Sequence, residues 1–313
     1  MERQNTHILL MIEPVAFGFN EQTAENNYFQ QRSDAPVSTI QAQALLEFQR
    51  MVNTLQQKDV EVVVVQDTLE PHTPDSIFPN NWISFHAGGT VVLYPMFAEN
   101  RRAERRLDLL KLLENKGFTM QTLIDYTDAE KDNRFLEGTG SMILDRANRV
   151  AYAALSERTD RDLFLRFCRD LNFKPVYFHA NQTVDRQRLP IYHTNVIMCV
   201  ADRYAVVCLD SIDDPEERKQ VVENLKDTNK EIISITEKQM HCFAGNMLQI
   251  ENKSGEKLLV LSASAYQSLT DEQMKHLSAF NEIVPVALPA IEKYGGGSAR
   301  CMMAEIFTNS LTQ

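Results

Sequence analysis

The order of apolar runs predicts an α/β fold assembled from repeats of one hairpin–helix–strand unit. SMILDR (141–146) and VAYAAL (150–155) are strand-like and joined by a short turn; a helix at 159–172 and a strand at 174–179 follow. The succession returns as NVIMCV (195–200), YAVVCL (204–209), a helix at 214–227 and a strand at 231–236. It returns again as GNMLQIE (245–251), KLLVLSAS (257–264), a helix at 269–280 and a strand at 283–288. Units of roughly 50 to 60 residues mark a repeat architecture, and about five would consume the chain. The units share no sequence identity, so the repeat is one of grammar.

The first third fits the same scheme less regularly. HILLMIEP (7–14) reads as a buried strand. Residues 15–35 form a polar loop longer than most connections, and such loops tend to carry function. Ala42, Leu45, Leu46, Phe48, Val52 and Leu55 recur at helical spacing within 38–57. VEVVVV (60–65) has no polar face and predicts a strand covered on both sides. A Pro-, Asp- and Asn-rich loop (66–82), a strand TVVLYP (90–95), a charged helix (100–116) and a strand near 119–124 complete it. No linker or low-complexity segment interrupts residues 1–313, so one α/β domain is expected.

Composition narrows the function. With 43% hydrophobic and 24% charged residues, the chain has ample core for a globular protein. A net charge of −11, mixed along the sequence, argues against nucleic acid or an anionic membrane surface as partner. Arg101, Arg102, Arg105 and Arg106, interleaved with Glu104 and Asp108, read as a solvated helix face. MERQNTHILLMIEP lacks the basic n-region and cleavage site of a signal peptide, and no apolar run approaches the ~18 residues of a membrane span. The five cysteines are widely spaced without a CxxC pair, which predicts reduced thiols, no metal site and a cytoplasmic protein. No cofactor is expected; the partner is a small molecule, and a homo-oligomer is left open.

Chemistry concentrates near the C-terminus, in Tyr294-Gly295-Gly296-Gly297-Ser298-Ala299-Arg300-Cys301. Three glycines give nothing to a core and instead permit φ > 0 and close approach. A cysteine beside an arginine is in a setting that favours the thiolate; the competing reading is a small hydrophobe after a turn. In a pseudo-symmetric ring, the loops ahead of corresponding strands converge. Those loops are Asp75-Ser76-Ile77-Phe78-Pro79-Asn80-Asn81-Trp82, Phe135-Leu136-Glu137-Gly138-Thr139-Gly140-Ser141, Tyr192-His193-Thr194-Asn195, His241-Cys242-Phe243-Ala244-Gly245-Asn246 and Gly297-Ser298-Ala299-Arg300-Cys301. Taken singly, a histidine before a strand, a glutamate beside glycines or an Asn pair reads as a satisfied polar group, a turn or a cap. Together they offer a thiol nucleophile, a proton-transfer group and a carboxylate.

TPDSIFPNNW, FLEGTGS, LSERTD, YHTN and GGGSARC, in that order, resemble the guanidino-group-modifying superfamily of arginine deiminases, dimethylarginine dimethylaminohydrolases and amidinotransferases. From MIEP to CMMAEIF the chain most resembles the citrulline-utilisation hydrolase (citrulline ureidase) branch. The resemblance implies a five-bladed α/β propeller (pentein) of ββαβ modules with pseudo-fivefold symmetry. It implies Cys301 as nucleophile, His193 as general acid and base, and Glu137 as the carboxylate that contacts substrate nitrogens and pairs with the imidazole. Asp75 matches an acidic position of the substrate loop, and Arg102 and Arg158 match positions that clasp the α-carboxylate, a task suited to guanidinium geometry.

Two positions depart from the deiminase pattern. The loop through Asn80 and Asn81 ends in an aspartate in the deiminases, and another aspartate stands two residues after their catalytic histidine; here Asn81 and Asn195 occupy these places. A carboxylate only accepts hydrogen bonds, whereas an amide both donates and accepts. The exchange suits a neutral ureido group and predicts hydrolysis of citrulline to ornithine with release of ammonia and CO2 through a covalent cysteine intermediate. Arginine deimination, dimethylarginine hydrolysis, amidino transfer and a catalytically silent amino-acid-binding propeller are the alternatives.

Overall fold

The apolar runs pair into five three-stranded sheets of one connectivity, described over residues 3–308 in a computed structural model. In chain order the strands are β1 (Ile8–Glu13), β2 (Glu61–Gln66), β3 (Ile83–His86), β4 (Thr90–Leu93), β5 (Thr122–Asp125), β6 (Ile143–Asp145), β7 (Val150–Leu155) and β8 (Lys174–His179). They continue with β9 (Asn181–Val184), β10 (Gln187–Pro190), β11 (Met198–Val200), β12 (Tyr204–Val207), β13 (Glu231–Ser234), β14 (Leu248–Glu251), β15 (Lys257–Ser262), β16 (Glu282–Val286) and β17 (Ala304–Glu305). The sheets are β3-β4-β5, β6-β7-β8, β11-β12-β13, β14-β15-β16 and β17-β1-β2. In each, the first pair is antiparallel and the second parallel. A parallel pair needs a crossover. It is supplied in turn by α1 (Val37–Gln57), α2 (Asp108–Asn115), α3 (Arg161–Asp170), α4 (Pro215–Asp227) and α5 (Asp271–Ser278).

In the sheet β17-β1-β2, the antiparallel strand comes from the other end of the chain. Leu9 pairs with Glu305 and Leu10 with Ala304, and Thr6 Oγ1 donates to Ile306 O at 2.6 Å. The core follows the strands: Ile8 to Met11 are fully buried, and α1 lays Ile40, Ala44, Phe48, Met51, Val52 and Leu55 onto the same cluster as Cys301, Met302 and Met303. Each fully buried side chain of this kind contributes about 1.5–3 kcal/mol. Glu47, on the same helix, accepts from Ala290 N at 2.9 Å and Ile291 N at 3.0 Å, fastening the start of the glycine loop to α1.

Three expectations need correction. VEVVVV is not covered on both sides: β2 edges its sheet, with Val63 and Val65 buried and Val64 38% exposed. The charged helix expected at 100–116 is a turn (Glu99–Arg102) followed by α2. It breaks where Arg101 turns inward to Glu104 (2.9 Å) and Arg105 to Glu130 (2.5 Å), so this cluster is not a solvated face. The hairpin β9–β10, inserted between β8 and the His193 turn, has no counterpart in the sequence reading. Among the described residues no helix is long and apolar enough to cross a membrane.

Candidate active site

A short turn precedes the first strand of each sheet, and these turns carry the chemistry. Pro79–Asn81 leads into β3, Gly138–Ser141 into β6, Thr194–Ile197 into β11 and Ala299–Met302 into β17. Asn246 stands two residues before β14. Glu137 and His193 occupy the residue just before their turns, so each side chain leaves the backbone where the chain reverses. Glycine makes this proximity feasible. A Cβ on Gly140 would lie 2.4 Å from Asn81 Nδ2 and 2.8 Å from His193 Nδ1, and one on Gly138 (φ +48°) 2.3 Å from Asn80 O.

Glu137 and His193 form a buried pair. Glu137 Oε1 accepts from Phe97 N at 2.9 Å, and Oε2 lies 2.7 Å from His193 Nε2, 3.7 Å from Arg158 Nη1 and 4.0 Å from Arg101 Nη1. Burial alone would raise the Glu137 carboxyl, but Arg158, the His193 hydrogen bond and Arg101 outweigh it and hold it down at about 2. Burial, joined by Arg158 and Arg101, takes His193 down to about 4 against the pull of Glu137. At neutral pH the pair is therefore a carboxylate and a neutral imidazole. Nε2–H donates to Glu137, which leaves the lone pair on Nδ1 as a base.

These shifts set an acid limit on stability. His193 takes its proton near pH 4 in the fold instead of 6.5, and Glu137 near 2 instead of 4.5. In both windows the unfolded chain binds more protons, so stability rises with pH. The His193 contribution is complete above pH 6.5 and shrinks toward 4; that of Glu137 is complete above 4.5 and shrinks toward 2. Thermal melting is expected to be level from these groups at neutral pH and to drop below 6.5, less steeply between 6.5 and 4 in His193→Asn. Equal slopes for the variant and the wild type would show that His193 is not the group responsible.

Cys301 is buried, and its sulfur meets two amides: Asn195 Nδ2 at 3.3 Å and Asn246 Nδ2 at 3.2 Å. The neighbouring cation does not serve it. Arg300 extends away, its Nη1 donating to Met303 O and Nη2 to Glu305 Oε2, both at 2.8 Å, because adjacent residues of the turn project to different sides. The glycine loop is pinned. Tyr192 OH donates to Gly296 O at 2.7 Å and Gln30 Nε2 to Gly295 O at 3.2 Å. A Cβ on Gly297 would lie 2.8 Å from the Phe78 ring, and Gly296 has φ +62°.

Loop 15–35 closes over these groups. Asn20 Nδ2 (2.7 Å) and Thr23 Oγ1 (3.1 Å) both donate to Asp75 Oδ2, and Arg158 Nη2 donates to Thr23 O at 2.8 Å and also to Asn26 Oδ1. The space left among Asp75, Asn81, Arg158, His193 and Cys301 is about 10 Å³, room for one water. Larger hollows lie elsewhere, such as one of ≈ 420 Å³ beside Gly88 and Phe118, but no thiol lines it.

The predicted residues do not all meet. Asp75, Asn81, Arg158, His193 and Cys301 line the pocket, with Glu137 directly behind His193 and Asn195 against Cys301. Asn80 does not line it; its amide donates to Thr139 Oγ1 at 3.3 Å, behind the pocket wall. Arg102 is outside as well, bonded to Met96 O at 3.1 Å and facing Glu130. Arg101 takes the inner place, with Nη1 on Asn81 Oδ1 at 2.9 Å and both Nε and Nη2 on Glu104. Burial drives the Glu104 carboxyl up to about 7 against the pull of Arg101. Asp75 Oδ1, Asn80 Oδ1, Asn81 Nδ2 and Asn195 Oδ1 are buried without a protein partner. Among the described residues no group of three or more His, Cys, Asp or Glu is placed to hold a metal ion.

A thiol, a carboxylate-paired imidazole and unpaired amides around one cavity are the side chains that nucleophilic catalysis at an electrophilic carbon requires. Residues 13–308 match the family described as N,N dimethylarginine dimethylhydrolase, eukaryotic, and the chain belongs to that family. It is thereby a member of the guanidino-modifying pentein superfamily and an enzyme of the class that hydrolyses C–N bonds of guanidino groups. The fold is similar to that of ArgZ, an arginine dihydrolase from the ornithine–ammonia cycle in cyanobacteria, at 18% identity and TM-score 0.72, covering 98% of this chain and 42% of that one. This chain thus spans about two fifths of full-length ArgZ, and 97% of its product-bound N-terminal domain (19% identity, TM-score 0.70, 96% of this chain). It is also similar to a citrulline complex of the Pseudomonas aeruginosa DDAH, at 14% identity and TM-score 0.65, covering 97% of this chain and all of that one (100%). No curated protein matches the sequence.

Proposed function

We propose that residues 1–313 act as one catalytic unit that hydrolyses the ureido group of a citrulline-like amino acid to ornithine, ammonia and CO2. The observation that carries this reading is the orientation of Asn81. Its Oδ1 is committed to Arg101 Nη1 at 2.9 Å, so the amide cannot turn over, and Nδ2 is left as an unpaired donor in a pocket-lining residue. A ureido group has a carbonyl to accept from that donor and N–H groups to give to Asp75 Oδ1 and Asn195 Oδ1. A guanidinium has donors only and would leave Asn81 Nδ2 buried without a partner.

The chemistry runs in two halves. The Cys301 thiol gives its proton to His193, whose Nδ1 lone pair is the neutral base in the pocket. Sγ bonds to the ureido carbon, and the C–N bond to the ornithine nitrogen breaks as His193 returns the proton to it. Water then adds to the S-carbamoyl carbon with His193 as base, and the C–S bond breaks. The carbamic acid released falls to ammonia and CO2. Glu137 holds the imidazole and steadies the imidazolium. With Arg102 outside the pocket, the α-carboxylate falls to Arg158, whose Nη1 lies 3.7 Å from Glu137 Oε2, beyond hydrogen-bond distance. The five sheets support a closed pentein ring: first strands of different sheets pack together, β17 on β3, β6 on β11 and β11 on β14.

A second reading, arginine taken through citrulline to ornithine, is favoured by Asp75, whose unpaired Oδ1 suits a guanidinium. Ammonia and products measured with citrulline and arginine side by side separate the two, with Cys301→Ser as blank. A higher kcat/KM for arginine would overturn the ureido reading. Asn81→Asp keeps the contact with Arg101 and removes the donor. Its citrulline kcat/KM is expected to fall about 100-fold while the arginine-to-citrulline ratio rises. An unchanged ratio would remove Asn81 from substrate choice.

A further inference from the structure

Asn246 belongs to a segment that the sequence reading set beside those of Glu137, His193 and Cys301 without giving it a role. Every polar atom of its side chain is engaged. Oδ1 accepts from Arg300 N at 3.1 Å, and Nδ2 donates to Asn195 O at 3.0 Å and to Cys301 Sγ at 3.2 Å. The Arg300 N–H fixes which end of the amide faces the sulfur, because reversing it would set N–H against N–H. Gly245 brings it there: a Cβ at 245 would lie 2.2 Å from Val196 O, in the turn that follows His193.

On the other side of the sulfur, Asn195 Nδ2 donates at 3.3 Å, while the thiol's own contact to Asn246 Oδ1 is long, at 3.6 Å. Two converging donors suit a sulfur that carries charge more than one that carries hydrogen. Among the described residues no guanidinium, ammonium or imidazole hydrogen-bonds to Sγ, since Arg300 is spent on Met303 O and Glu305. We propose that Asn246 is a catalytic residue that, with Asn195, holds the Cys301 thiolate through two amide N–H groups.

The role rests on Cys301 being the nucleophile, though not on which urea or guanidine it attacks. The amides act twice. They stabilise Sγ once its proton has gone to His193, before the S–C bond forms, and they stabilise it again when water displaces it and the electron pair of the C–S bond returns to Sγ. Asp75, Arg101, Arg158, Tyr192 and His193 share the pocket with the sulfur and are left unaltered in the test.

The decisive variant is Asn246→Asp, which keeps an oxygen for Arg300 N–H and removes the donors, so the tie to Arg300 is retained while the sulfur and Asn195 O lose theirs. Asn195→Asp removes the donor on the other side and gives a second reading should the first variant fold poorly. Thiolate ultraviolet absorbance, taken as the difference from Cys301→Ser and followed against pH without substrate, is expected to appear at least about one pH unit higher in each. With substrate, kcat is expected to fall about 100-fold with KM within about threefold, and the covalent adduct to accumulate because the sulfur leaves poorly. A thiolate curve that coincides with wild type in both variants would overturn the proposal. So would a loss in Asn246→Ala, which lacks both functions, that Asn246→Asp does not share. The substrate-free titration stands even if citrulline proves not to be the substrate.

Discussion

Cys301→Ser is expected to lower turnover by at least about 10⁴-fold while leaving the fold intact. Serine keeps the size of the side chain, so the cluster with Met302, Met303 and α1 loses little packing. The amides of Asn195 and Asn246 can donate to a hydroxyl as they do to sulfur. What is lost is a polarisable sulfur that shares its pocket with a histidine held neutral. Quenched mass spectra are expected to show a substrate-dependent adduct on the wild type and none on the variant. Equal rates would mean that the bond-forming group is another side chain.

Glu137→Gln is expected to cost about 10³-fold in kcat and to destabilise the fold as well. The carboxylate is fully buried and faces Arg158 at 3.7 Å and Arg101 at 4.0 Å besides His193 at 2.7 Å. An amide in its place removes the carboxylate that faces Arg158, while Arg101 keeps Glu104, and breaking a buried pair from one side typically costs about 3–5 kcal/mol. It can also present its NH2 to Nε2 and favour the wrong imidazole tautomer. The two effects separate in experiment: the thermal midpoint reports the first, and kcat measured well below that midpoint reports the second. A variant with wild-type kcat and a lowered midpoint would make Glu137 purely structural.

What the sequence revealed depended on whether a residue's role was local. Glu137, His193 and Cys301 could be grouped from the sequence because each stands in the short segment ahead of a strand, Glu137 and His193 just before their turns and Cys301 within its own. Arg101 was not separable from Arg102: neighbours on one helical turn diverge by about 100°, and which of them turns inward was decided with Asn81, a partner outside the local pattern, besides the nearby Glu104. Asn246 was quoted in its segment, but an amide before a strand has the same sequence signature whether it caps a turn or reaches a sulfur. Arg300 misled for the opposite reason. Adjacency in sequence suggested a charge beside the thiol, and the turn sends the two side chains apart. VEVVVV gave the strand but not its exposure, since an apolar run cannot say which sheet position it will occupy.

The pairing of β17 with β1 bears on when this enzyme comes into being. Protein synthesis delivers residues in order, so β1 and α1 leave the ribosome while Cys301 and the strand after it have yet to be made. Through that interval Leu9 and Leu10 present an unpaired strand edge, the kind of surface on which chains aggregate. Four of the five sheets can close from neighbouring sequence, but the sheet beside Cys301 waits for contacts almost three hundred residues apart in the chain, the slowest sort to form. The sheet that holds Cys301 is therefore incomplete until β17 has been made, and the step that seals the free edge of β1 is the same step that sets the thiol in place.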